Sequence, residues 1–186
     1  MQHISNFNTL IFNKNYLMMV KKILSGLILF CIVVTGCIKN DTKCRYVDSR
    51  VIAPITEIDS LKEVLTDSGI TASQHSSGFF YNISGTGTGT GITNLCSNVT
   101  VTYKGSYFNG QVFDSTATGN VATFQLGQVI VGWQKGLPLV SKGGDITLYI
   151  PPSLAYGTDP VTDTQGNVLI PGNSYLVFVI HVVDIQ

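Results

Sequence analysis

From Val99 to the C-terminus, apolar and polar residues come in short runs punctuated by glycine, proline and asparagine, a pattern of strands joined by tight turns. Val99–Phe108 alternates at period two and predicts a half-buried strand with Val99, Val101 and Tyr103 on one face. Asn109-Gly110 predicts a two-residue hairpin, with the return strand in Gln111–Thr116. A further short strand is expected at Thr123–Gly127. The β-branched run Val129-Ile130-Val131 then leads into Gly132-Trp133, and a short helix over Gly132–Leu137 is predicted to stop near Gly136 and Pro138. Asp145–Ile150 reads as a strand closed by Pro151-Pro152, which lack ladder donors. Leu154–Gly157 is a turn, Thr158–Asn167 a polar loop able to project over a neighbouring pocket, and Ile170-Pro171-Gly172 its end. Tyr175–Val183 is apolar on both faces, which predicts a central strand buried on both sides.

Upstream, Thr56–Gly69 has the pattern of one amphipathic helix, with Thr56 as N-cap and Gly69 as its stop. Ile58, Leu61 and Leu65 make a single apolar stripe, so the helix packs on something. Phe79–Ser84 is a first strand. It runs into the alternating Gly85–Gly91, which lacks the lysine and spacing of a phosphate loop and is expected to be a flexible connection. These elements describe an α+β fold: a curved antiparallel β-sheet whose concave face wraps one short helix. Tyr103, Phe113, Phe124, Tyr156 and Phe178 then face Trp133, the only tryptophan, which is either the plug of a core or the floor of a pocket.

The N-terminal stretch follows a different pattern. Lys21-Lys22, the apolar run Ile23–Val34 and Thr35-Gly36-Cys37 make a secretory signal, too short for a comfortable membrane span. Val34–Cys37 resembles a bacterial lipobox, which implies that Cys37 becomes a lipidated mature N-terminus; an uncleaved anchor or a plain signal peptide are the alternatives. Met18-Met19 precedes the basic pair, so translation is expected to start there, Met1–Leu17 adding nothing a signal needs. The expected organisation is a signal peptide over 1–36, a lipid-anchored tether over 37–55, a helix and linker over 56–78 and the main domain over 79–186. This puts the protein in a bacterial cell envelope, anchored to a membrane (the outer one), with its domain in the periplasm or at the surface.

The chain has 186 residues, with charged residues at only 12% and a formal net charge of zero, so nothing marks a nucleic-acid partner. Of the four cysteines, Cys31 leaves with the signal and Cys37 carries the lipid. Cys44 and Cys96 remain, either bridged or as two free thiols in an oxidising compartment. His3, His75 and His181 stand apart from cysteines and carboxylates at ligand spacing, so no metal site is expected.

Seven segments occur in an order that resembles the FKBP-type peptidyl-prolyl cis-trans isomerases. They are Val99–Gly105, Asn109–Ser115, Phe124–Gly127, Val129–Leu137, Ile150–Gly157, Ile170-Pro171 and Leu176–Phe178. The resemblance implies a cofactor-free isomerase of X–Pro bonds in exported polypeptides, binding proline segments in an aromatic pocket. It implies a pocket of Tyr103, Phe113, Asp114, Val129, Ile130, Trp133, Tyr156, Ile170 and Phe178. Trp133 would be the floor, Asp114, Tyr156 and Tyr103 the catalytic groups, and the Ile130 N–H the donor to a substrate carbonyl. The pattern's aromatic two residues before Phe124 is Ala122 here, leaving one wall open or filled by another side chain. A non-catalytic, lipid-anchored chaperone using the same pocket is the alternative.

Overall fold

The computed structural model describes residues 44–186; the signal peptide, the lipobox, Cys37 and the first part of the tether lie outside them. Residues Cys44–Gln186 form one compact unit, so the tether from Cys44 on and the helix and linker belong to the same body as the main domain. Helix α1 (Ile55–Asp67) comes first, then β1 (Ser73–Gln74), β2 (Phe80–Gly85), β3 (Asn98–Tyr107), β4 (Val112–Ser115) and β5 (Ala122–Gln125). Helix α2 (Val131–Gly136) follows, then β6 (Asp145–Ile150), the small β7 (Val161–Thr162) and β8 (Val168–Ile170), and β9 (Leu176–Ile185).

The main sheet has seven strands in the order β1-β2-β6-β9-β3-β4, with β5 also paired to β3. Every pairing is antiparallel. Strand β3 carries β5 along Asn98–Val101 and β4 along Lys104–Ser106, two short neighbours end to end on one edge. Opposite Thr100/Val101 and Gly105/Ser106 its partners carry the extra residue, Val183 on β9 and Phe113 on β4, and such bulges bend the strand that carries them. Helix α2 lies on β6 through Gly132 and Gly136, one turn apart on its inner face. A Cβ at either would come within 2.6 Å of Ile150 or Leu148. Leu148, Ile150, Leu176, Phe178, Ile180 and Val182 fill the core beneath it.

Several expectations are corrected. The α1 helix starts at Ile55, not after a Thr56 cap: the Pro54 carbonyl accepts from Glu57 and Ile58, and no side chain caps it. Pro54 is the N-cap, and its main-chain carbonyl alone receives the first helical N–H bonds. Its end is as expected, with Gly69 and Ile70 returning N–H bonds to Thr66 and Leu65 in a Schellman closure. The Asn109-Gly110 hairpin is a three-residue loop. Gly110 has a φ of 86° but Asn109 is not in the left-handed region that a two-residue I′ turn demands.

The Gly/Thr segment is not a free connection. Its Thr86 and Thr90 carbonyls accept from Ser141 and Lys142, and Thr88 donates back to Lys142. The strand expected at Thr123–Gly127 ends at Gln125 and gives way to a 3-10 turn over Leu126–Gln128. The Thr158–Asn167 loop contains half of the β7–β8 hairpin, whose tip is organised by Asp163 accepting the Gln165 and Asn167 N–H groups. Strand β9 is central, between β6 and β3, but only one face is covered: Val179 is 48% exposed while its neighbours Phe178 and Ile180 are buried. One helix covers one face of a sheet, and hydrophobicity alone does not reveal which.

The α1 stripe of Ile58, Leu61 and Leu65 is buried in the same core as the sheet. Leu61→Ala, at a fully buried position, is expected to lower unfolding free energy by about 2–5 kcal/mol in urea titrations of residues 44–186. A detached linker helix would lose nothing measurable.

Candidate active site

Trp133 lies in the first turns of α2, buried at 4% exposure, where the glycine contacts with β6 hold the helix. Three rings stand edge-on to its indole: Phe178 at a centroid distance of 5.3 Å, Tyr103 at 5.4 Å and Phe124 at 5.9 Å, with interplanar angles of 83° to 88°. Such edge-to-face pairs suit the ring quadrupoles and lock the cluster's shape. The indole N–H is buried without a hydrogen-bond partner.

A cavity of about 260 Å³ opens on this cluster. Its walls are Tyr103, Phe124, Phe178, Val129 and Ile130, and Asp114, Tyr156 and Gln128 add polar groups. Seven residues expected from the sequence therefore meet in one space: Tyr103, Asp114, Val129, Ile130, Trp133, Tyr156 and Phe178. Phe113 and Ile170 do not line it. Phe113 packs edge-on behind Phe178 at 5.6 Å, and Ile170 is buried in the core, paired with Val161. Phe124, expected to face Trp133 but not among the pocket residues implied by the resemblance, lines it, and so does Gln128. Phe124 was marked by its aromatic character; nothing in the local pattern singles out Gln128. Ala122 pairs with Val101 and is only half-buried, and the ring two residues on, Phe124, is the one that reaches the indole.

The polar rim is built locally. Asp114 sits on β4 opposite Gly105, where the β3 backbone leaves room for the Phe113 and Phe178 rings to cross. Tyr103 donates its hydroxyl to Asp114 Oδ2 at 2.5 Å. That commits the Tyr103 proton to the carboxylate rather than to a ligand. Tyr156 follows the 3-10 turn of Pro152–Leu154 and is pinned by Ala155 and Gly157 donating to the Pro152 carbonyl. Glu57 of α1 accepts the Ser153 N–H at 3.0 Å, tying the first helix to the same turn. Burial, then the bond to Asp114, pushes the Tyr103 phenol well above the ordinary tyrosine range. Burial and the Asp114 charge push Tyr156 up as well. The Ile130 N–H donates to no acceptor among the described residues.

A larger recess of about 470 Å³ lies between the N-terminal segment and the outer side of α2, lined by Tyr46, Asp48, Leu95, Gln134 and Lys135 among others. Its charges are already paired, Lys135 with Asp48 at 2.6 Å. Among the described residues no three side chains are grouped to hold a metal, and no helix is long and apolar enough to cross a membrane.

The sequence pattern of the FKBP-type peptidyl-prolyl cis-trans isomerases matches residues 93–183. The crystal structure of AtFKBP13 superimposes with a TM-score of 0.56 at 34% identity over 62% of this chain and 99% of that one. The chain belongs to the FKBP-type peptidyl-prolyl cis-trans isomerase family. The crystal structure of FkpA from Escherichia coli superimposes with a TM-score of 0.58 at 34% identity, over 71% of this chain and 58% of that one. Among sequences, the FKBP-type isomerase FkpA of Buchnera aphidicola subsp. Schizaphis graminum is 44% identical over 115 residues, 61% of this chain and 43% of that protein. The chain thus spans less than half the length of the curated relatives it matches.

Because the folded phenols of this FKBP domain are held protonated, the unfolded chain releases those protons first as pH rises above the ordinary tyrosine value of about 10. The stabilisation is complete below that value and is lost as pH climbs past it. Urea midpoints are expected to fall as pH rises above about 10, and Tyr103→Phe to flatten the fall.

Proposed function

We propose that this FKBP domain catalyses cis–trans isomerisation of X–Pro bonds in exported polypeptides. The observation that carries the reading is an aromatic cavity whose floor is Trp133 and whose rim offers a free Ile130 N–H beside Asp114 and Tyr156. Rotation about an X–Pro amide is slow because resonance stiffens its C–N bond. At the twisted geometry resonance is lost, the nitrogen pyramidalises and charge separation across the carbonyl falls. An apolar cavity favours that state over the planar, well-hydrated amide, which is differential binding of the transition state.

In this reading the proline ring sits on Trp133 between Tyr103, Phe124 and Phe178. The Ile130 N–H binds the carbonyl of the bound segment. Asp114, held by Tyr103, and Tyr156 orient the twisting amide. Phe113 and Ile170 act by supporting the wall rather than by touching the ring. The chemistry needs no nucleophile or cofactor.

The same proposal places the protein in a bacterial cell envelope, lipid-anchored at Cys37 to the outer membrane, with its domain in the periplasm or at the surface. The pattern of residues 21–37 supports this, as does the Cys44–Cys96 disulfide, a bond that persists in oxidising compartments. Clients are then proline-containing segments of exported proteins.

Residues 44–186 are expected to accelerate isomerisation of a proline tetrapeptide measured by NMR exchange. Asp114→Leu, at an exposed position, should lower kcat/KM by roughly tenfold or more with the fold intact. Tight binding of a proline-mimicking macrolide with no acceleration would replace the isomerase with a non-catalytic chaperone. Expression of the full chain should yield a membrane-bound, lipid-modified product, and Cys37→Ser a soluble, unmodified one; an unchanged distribution of Cys37→Ser would remove the anchor.

A further inference from the structure

Ile130 enters the proposed chemistry through one group, its backbone N–H. The direction of that N–H is a property of the peptide plane joining Val129 to Ile130. In a trans peptide the carbonyl and the N–H point to opposite sides of one rigid plane, and the described chain has no cis bonds. Whatever grips the Val129 carbonyl therefore aims the Ile130 N–H.

That grip does not come from a ladder or a helix. Val129 and Ile130 lie between the 3-10 turn and α2, and no backbone N–H among the described residues donates to the Val129 carbonyl. The bond comes from a side chain: Gln134 Nε2 donates to Val129 O at 2.7 Å. The backbone N–H of the same residue donates to the Ile130 carbonyl at 3.1 Å. Both peptide planes that flank Ile130 are thus tied to Gln134, one through its side chain and one through its main chain. Gln134 does not line the Trp133 cavity; it faces the recess on the other side of the segment. It cannot act by touching what the cavity holds.

We propose that Gln134 is a positioning residue that aims the Ile130 N–H into the cavity by holding the Val129 carbonyl from behind. The proposal rests on the isomerase reading for its consequence in rate, but not for its geometry. Without the grip, no other group among the described residues holds the Val129 carbonyl, so that plane is free to rotate and the donor leaves the line of the substrate carbonyl.

Three variants of residues 44–186 test this: Gln134→Met, similar in length with no donor; Gln134→Lys, which keeps a donor; and Gln134→Glu, which regains one only when protonated. Gln134→Met is expected to move the Ile130 amide resonance in the ligand-free protein and to lower kcat/KM on the order of tenfold. Gln134→Lys should recover most of both. Gln134→Glu should be as slow as Gln134→Met at neutral pH and regain rate as its carboxyl protonates in acid, while Gln134→Met stays flat. An unmoved Ile130 resonance with kcat/KM within about twofold of wild type in Gln134→Met would overturn the proposal. So would identical pH profiles for the Met and Glu variants, or a folded Gln134→Lys that restores neither quantity. If the wild type itself fails to isomerise, the isomerase reading falls, and the Ile130 resonance still decides the geometry.

Discussion

The distance between α2 and β6 governs the site. Gly132 and Gly136 lie one turn apart, so both face the sheet, and Ile150 and Leu148 fill the space their missing side chains leave. A β-carbon at either position would have to push the helix away from buried strand residues that have nowhere to go. The next residue around the helix, Trp133, is turned by about 100° from Gly132 and so points along the sheet rather than into it. That is why the indole meets Tyr103, Phe124 and Phe178 on three sides instead of being swallowed by the strand layer. A helix standing off by even a methyl group would leave a gap in this cluster, and tight packing is what gives the cavity a fixed floor.

Around that floor the polar groups are few and already engaged with one another. Tyr103 donates a hydrogen bond to Asp114, and the carboxylate in turn helps keep both neighbouring phenols neutral. The cavity therefore presents one carboxylate, one free phenol, the Gln128 amide and one free backbone N–H to whatever enters, against a background of carbon. This division of labour follows from burial. Apolar rings lose nothing by leaving water, whereas each polar group that leaves water must find a partner.

The segment before the sheet is part of the same body. Cys44 is bonded to Cys96 across 52 residues, the Tyr46 ring covers Gly127, Asp48 pairs with Lys135 on α2, and Glu57 holds the turn that precedes Tyr156. The ion pair is the weakest of these, since Asp48 is 71% exposed and screened by water. The disulfide and the ring contact do not depend on charge. Together they brace the outer side of the helix whose inner side carries Trp133, so the chain from Cys44 to Asp67 supports the site without entering it.

Much of this was legible in the residue order because local signals are short-range. Period-two alternation marked β3, paired prolines ended β6, and the stripe of Ile58, Leu61 and Leu65 marked the buried side of α1. Aromatics recurring in a known order marked the cluster around Trp133. What the order of residues did not contain is any relation fixed by three-dimensional contact. His181 acquires Asp145 as a neighbour only because β6 and β9 pair in one register. Phe113 and Ile170 stand behind the wall rather than in it, since a strand's alternation says which face a side chain takes but not which ring reaches the void first. Gln128 and the Gln134 clamp came only from the tertiary structure. Sequence by itself determined the elements, the apolar faces and the residue types available for the site. The folded chain decided which of them meet, because distances of a few ångströms across a sheet depend on register, bulges and the close approach of one glycine-faced helix.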